Sequence, residues 1–141
     1  MTSEPWFEHE WTLRVRYSET DQMGTFYNSR ALEWFECART ELLRSMGTPY
    51  ALMEERGVLL PLVEAHVRYL GRARYDDPLR LVSRMTLEGK ASLRFTVRVN
   101  QAEGGANVCD GWTVHAVTGP DGRPKRCPDW LVSALCRPDR R

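Results

Sequence analysis

The sequence predicts an α+β fold in which a curved, five-stranded antiparallel sheet wraps around one long central helix. Three observations carry this expectation. The elements run strand, long helix, short helix and four strands, and turn residues between the later strands imply antiparallel pairing. The long helix is apolar around more than half its circumference, which a flat sheet on one side cannot cover, so the sheet must curl. At 141 residues with 42% hydrophobic content, the chain has the size of a single domain, residues 1–141, with one core.

In the first strand, Trp11, Leu13, Val15 and Tyr17 alternate with Thr12, Arg14 and Arg16, the period of a half-buried strand. A loop carrying Gly24 follows. From about Ser29 to Met46 the period becomes helical: Ala31, Leu32, Trp34, Phe35, Ala38, Leu42 and Met46 recur at steps of three and four, and Cys37 and Leu43 widen the stripe. Asn28 or Ser29 is placed to cap this helix, and Gly47 suits the left-handed position after its last turn. A short helix comes next, with Thr48 as cap, Pro49 at its first position and Gly57 at its close.

Strands are expected at Val58 to Leu70, Leu79 to Glu88, Leu93 to Asn100 and Val108 to Thr118. Gly89-Lys90 and Gly104-Gly105 read as hairpin turns, and Asp76-Asp77-Pro78 as an ordinary loop. Pro128 to Leu135 reads as a terminal helix, and the basic ending RPDRR as a frayed terminus.

A formal net charge of +1 leaves no whole-molecule field to hold nucleic acid or an anionic membrane, so anion binding must be local. No apolar run reaches the roughly 20 residues that span a bilayer, and the start MTSEPWFEHEW lacks the basic and apolar parts of a signal peptide. A cytoplasmic location is expected. Cys37, Cys109, Cys127 and Cys136 are scattered, with no CxxC spacing and no histidine pairs at ligand intervals, so neither a metal nor a disulfide framework is expected.

Chemistry concentrates in YSETDQMGTFYN, residues 17 to 28. Asp21 carries a carboxylate able to act as a nucleophile or as a general base that prepares water for attack on a carbonyl. Gly24 lets the backbone turn sharply or approach a ligand closely. The helix beyond presents unpaired N–H groups and a partial positive charge, a place where an oxyanion is stabilised, with Asn28 the best-placed donor. The same residue types also serve as ordinary caps and turn formers.

The string RVRYSETDQMGTFYNSRALEWFECARTELLRSMG resembles the amino-terminal signature of hot-dog fold thioesterases of the 4-hydroxybenzoyl-CoA thioesterase type. The likeness continues through PLVEAHVRYLGRARYDDPLRL, LEGKASLRF and DGRPKRCPDWL, over nearly the whole chain. It implies a curved antiparallel sheet around one helix, a homodimer or homotetramer, and hydrolysis of acyl-CoA without metal or cofactor. It also implies that Asp21 is the catalytic carboxylate and that the helix-terminal N–H at Asn28 polarises the thioester carbonyl, at a position where many relatives have histidine. By the same resemblance, LEGKASLRF meets the phosphates of CoA, with Lys90 as a cation and Ser92 as a hydrogen-bond donor; as bare sequence both are exposed-turn residues. Arg72 and Arg74 are phosphate candidates or ion-pair partners of Asp76 and Asp77.

Tyr27, beside Asn28, either lines the acyl pocket or closes the loop as a buried aromatic. Trp34 and Phe35 read as packing residues, and Glu36 as an ion-pair partner of Arg39 three residues on. Another hot-dog subclass uses a helical glutamate, which keeps Glu33 and Glu36 as alternatives to Asp21. His66 falls on the polar side of its strand and His115 on the face opposite Trp112, neither in a triad, and the chain has no GxSxG elbow. The alternative function is a non-catalytic module that binds acyl-CoA or acyl-carrier protein. Unpaired sheet edges point to assembly, with an active site shared between two subunits.

Overall fold

The computed structural model describes residues 6–135; Cys136 and the basic ending lie outside them. The elements are β1 (Trp6–Arg14), a 3-10 turn (Tyr17–Glu19), α1 (Arg30–Ser45), α2 (Tyr50–Glu55), β2 (Leu62–Tyr69), β3 (Pro78–Leu87), β4 (Ser92–Gln101), β5 (Asn107–Ala116) and α3 (Asp129–Leu135). The strands form one curved sheet in the order β1-β3-β4-β5-β2, and every neighbouring pair is antiparallel.

β1 begins five residues before the expected start. The polar stretch Glu8-His9-Glu10 hid it, because its acids are satisfied across strands: Glu8 pairs with Arg84 at 3.3 Å and Glu10 with Arg80 at 3.6 Å. Tyr17 belongs to the 3-10 turn, exposed, while Val15 is buried as its alternation implied. β2 is shorter than expected, because Leu59 bridges to Thr118 instead and Pro61, which has no N–H, only accepts from Ala116.

Pro49 is the cap of α2 rather than its first residue, and the Thr48 hydroxyl turns back to donate to the Leu43 carbonyl at 3.3 Å. The N-cap of α1 is Ser29, whose side chain makes no capping bond. Both hairpins form at the expected turns, with Gly89, Gly104 and Gly105 at positive φ.

Helix α1 packs on the concave face. Its first half buries Ala31, Trp34, Phe35 and Ala38 with Leu79, Leu81, Val97, Val99 and Val108. Its second half buries Leu42, Leu43 and Met46 with Phe7, Met85, Leu93, Phe95 and Leu131. At the crossing, Gly111 is a steric requirement: a Cβ there would lie 1.9 Å from the His66 carbonyl oxygen and 3.1 Å from the Phe35 ring. This close approach lets β5 carry β2 and α1 together.

The candidate active site

The loop between β1 and α1 is folded on itself before it meets anything else. Thr20 bridges to Phe26, the Asp21 N–H donates to the Thr25 carbonyl at 3.0 Å, and the Gly24 N–H donates to the Asp21 carbonyl at 3.0 Å. Gly24 completes this turn with φ of 77°, a conformation in which a side chain is strained. Asp21 Oδ1 accepts the Met23 N–H at 2.9 Å, an Asx turn that orients the carboxylate. The loop is then tied to the segment ahead of β3: Thr25 Oγ1 donates to the Ala73 carbonyl at 3.2 Å and accepts its N–H at 3.1 Å, and the Phe26 N–H donates to Ala73 at 2.9 Å.

The aromatic that closes the loop is Phe26, not Tyr27. Phe26 is buried with its ring centroid 4.7 Å from that of Trp34, and Tyr27 is exposed on the other side of the chain. The alternation of Thr25, Phe26 and Tyr27 held a signal for this, since neighbours in an extended stretch face opposite ways. Next to it, the Tyr69 hydroxyl donates to the Asn28 carbonyl at 2.7 Å and so ties β2 to the start of α1. Among the described residues, the amide N–H groups of Asn28 and Ser29 meet no acceptor, whereas that of Arg30 donates to Tyr27 at 2.9 Å. Two donors with the partial positive charge of a sixteen-residue helix behind them are thus open at this end.

Asp21, Gly24, Tyr27 and Asn28 therefore share one end of the fold. Lys90 and Ser92 do not join them. They sit where β3 meets β4, a full strand length away, about 30 Å at 3.3 Å per residue. There the turn packs on the segment before α3, with the Cys127 N–H donating to the Lys90 carbonyl at 2.8 Å. This brings the stretch holding Arg123, Lys125 and Arg126 beside Lys90, although the Lys125 ammonium itself donates to the Gly57 carbonyl at 3.0 Å.

The remaining charges settle into structural roles. Arg39 makes no ion pair with Glu36; its Nε donates to the Tyr50 hydroxyl at 2.7 Å. Glu33 pairs with Arg30 at 2.7 Å. Asp76 meets Arg14 at 3.7 Å, while Asp77 accepts the Arg74 amide and the Gln101 side chain. His66 stacks on Trp112 at a cleft of about 450 Å³ on the face of the sheet away from α1. His115 is buried: Nδ1 meets the Leu60 carbonyl at 2.9 Å and must donate to it, which leaves Nε2 to accept from the Thr113 hydroxyl at 3.0 Å. Burial holds its pKa below the ordinary histidine value, with the nearby Arg39 charge adding to the effect.

An antiparallel five-stranded sheet closed over one long helix, with a polar loop at the helix start, defines the hot-dog class. A solved structure agrees: Slr0204, a 1,4-dihydroxy-2-naphthoyl-CoA thioesterase from Synechocystis, superposes with a TM-score of 0.85 at 22% identity, covering 96% of this chain and 99% of that one. The family model described as the thioesterase-like superfamily matches residues 15–135, and the chain belongs to this family of thioester hydrolases. Among its relatives, the acyl-CoA thioester hydrolase YbgC of Escherichia coli O6:H1 is 38% identical over 94 residues, 66% of this chain and 69% of that protein. YneP of Bacillus subtilis (strain 168) is 42% identical over 65 residues, a stretch that spans 46% of this chain and about half, 47%, of that relative.

Proposed function

We propose that the protein hydrolyses acyl-CoA thioesters to the free acid and CoA, with Asp21 as base or nucleophile and the α1 N-terminus at Asn28 as oxyanion site. The observation that carries this reading is the pairing of an oriented carboxylate with two unaccepted amides at one helix start. Attack on the thioester moves negative charge onto the carbonyl oxygen, and donors fixed at that point favour the transition state over the ground state. Asn28 carries its donor on the backbone, so a side chain other than histidine is compatible with the role.

Gly24 keeps the turn free of a side chain where the acyl carbonyl must approach, and exposed Tyr27 is available to line the acyl group. Lys90 and Ser92 take the CoA phosphates, with Arg123 and Arg126 adding local positive charge. Because these residues lie a strand length from Asp21 in one chain, the site requires a homodimer or homotetramer in which a partner supplies them. Edge strand β2 supports this: Leu62, Val63 and Tyr69 are each at least half exposed along it.

The test is thiol release from a panel of short, long and aromatic acyl-CoAs, with acyl-carrier substrates in parallel. Asp21→Asn is expected to lower kcat by a hundredfold or more, on the order of a lost catalytic group, with little change in melting temperature. Wild-type turnover in Asp21→Asn would remove the assignment, and tight binding without release by the native protein would mark a binding module instead.

A further inference from the structure

Two residues ahead of Asp21, Glu19 is almost completely buried, at 3% exposure. Three donors converge on its carboxylate. The Arg16 backbone N–H reaches Oε1 at 2.7 Å; the Arg16 guanidinium, at 3.2 Å, and the Trp34 indole N–H, at 3.1 Å, both reach Oε2. Arg16 follows β1, Glu19 ends the 3-10 turn and Trp34 belongs to the buried face of α1, so one side chain joins the three segments that flank the site. The Glu19 carbonyl also accepts the Tyr27 N–H at 2.8 Å, which pins the far end of the loop to the same residue.

A second tie runs alongside. Arg30 Nη1 donates to Glu33 Oε2 at 2.7 Å and Nη2 donates to the Ser18 carbonyl at 3.1 Å. A buried carboxylate is costly to desolvate, and space alone would be filled more simply by an apolar side chain. What the carboxylate provides is a directional lock, with a charge-assisted bond on one side and a fully buried indole on the other. Asp21 is two residues from this lock on the loop, and the open amides of Asn28 and Ser29 lie a few residues ahead of Trp34 at the head of α1. Glu19 therefore ties the segment leading into the Asp21 loop to the helix that bears these amides.

We propose that Glu19 is a positioning residue for turnover, acting through Trp34 to hold the Asp21 loop in register with the α1 N-terminus. This rests on the thioesterase reading above. Displacement of reacting groups by about 1 Å costs on the order of a hundredfold in rate, so loosening this lock is expected to appear in kcat.

The experiment compares kcat, KM and melting temperature for wild type, Glu19→Gln, Trp34→Phe and the double variant, with Asp21→Asn in parallel. Trp34→Phe retains a ring in the core and removes the indole N–H. Expected are a fall in kcat of about tenfold in Glu19→Gln and several-fold in Trp34→Phe, KM within about twofold, and a double variant whose loss is smaller than the product of the two, because both changes loosen one hydrogen-bonded cluster. Amide exchange of residues 20–28 is expected to quicken in both single variants. Loss of melting temperature with kcat of the folded protein within twofold of wild type would overturn the inference, and Trp34→Phe can show this even if Glu19→Gln does not fold. Absence of thiol release by wild type, or normal turnover in Asp21→Asn, would instead overturn the catalytic reading beneath it.

Discussion

Asp21 and Asn28 illustrate two ways in which a residue contributes to a site. Asp21 is proposed to act through its side chain, oriented by the Met23 amide, and Asn28 through a backbone N–H that any residue but proline supplies. Asn28→Ala is therefore expected to hold thiol-release kcat within about fivefold of wild type; a loss of about a hundredfold, as for a deleted oxyanion donor, would show that the side chain is the donor. His115 gives a pH prediction. Its pKa is held down by burial, so below about 6.5 the unfolded chain takes up a proton that the folded chain resists, and stability falls as pH drops through that value. Melting temperature should decline from pH 7 to 5, and His115→Gln should flatten the decline without abolishing it, since burial lowers the pKa of His9 in the same direction.

Among the elements, α1 was the most legible, because its packing is recorded every three or four residues along its own sequence. Of the residues expected to pack, Ala31, Trp34, Phe35, Ala38, Leu42, Leu43 and Met46 are buried, whereas Leu32 and Cys37, at the margin of the stripe, are exposed. β1 was less so: its outer face carries acids whose partners lie on β3, 70 and 76 residues on, and no local period reveals such compensation. Gly111 shows the same limit. As a glycine in a strand it suggests weakness, yet it marks a place where β2 and the Phe35 ring of α1 both approach β5 too closely for a side chain. Gly111→Ala is expected to destabilise by about 3 kcal/mol, the upper part of the range for overpacked cores, because backbone rather than a flexible side chain opposes the new methyl. Urea denaturation followed by circular dichroism measures it.

For the whole molecule, the proposed site is incomplete in one chain, with Asp21 at one end of the sheet and Lys90 at the other. Assembly through β2 joins the halves in this reading, and it predicts a dimer or larger species in sedimentation. Val63→Lys, which places a charge on an exposed apolar position of that edge strand, is expected to yield folded monomers with turnover reduced at least tenfold, the pattern of an interface anchor removed. A native protein that sediments as a monomer at micromolar concentration would contradict the shared site.

By itself the sequence determined the order of elements, the long helix, the hairpin turns and the stretch that holds Asp21, since each is written in neighbouring residues through periodicity, caps and turn chemistry. Only the tertiary structure decided which strands neighbour each other, that Phe26 rather than Tyr27 closes the loop, that Arg39 turns to Tyr50, and that Glu19 is buried against Trp34. The physical reason is the range of the interactions. Backbone geometry is governed by the next few residues, whereas burial and hydrogen-bond partners are chosen among groups that only the folded chain brings within 3 Å or so of one another.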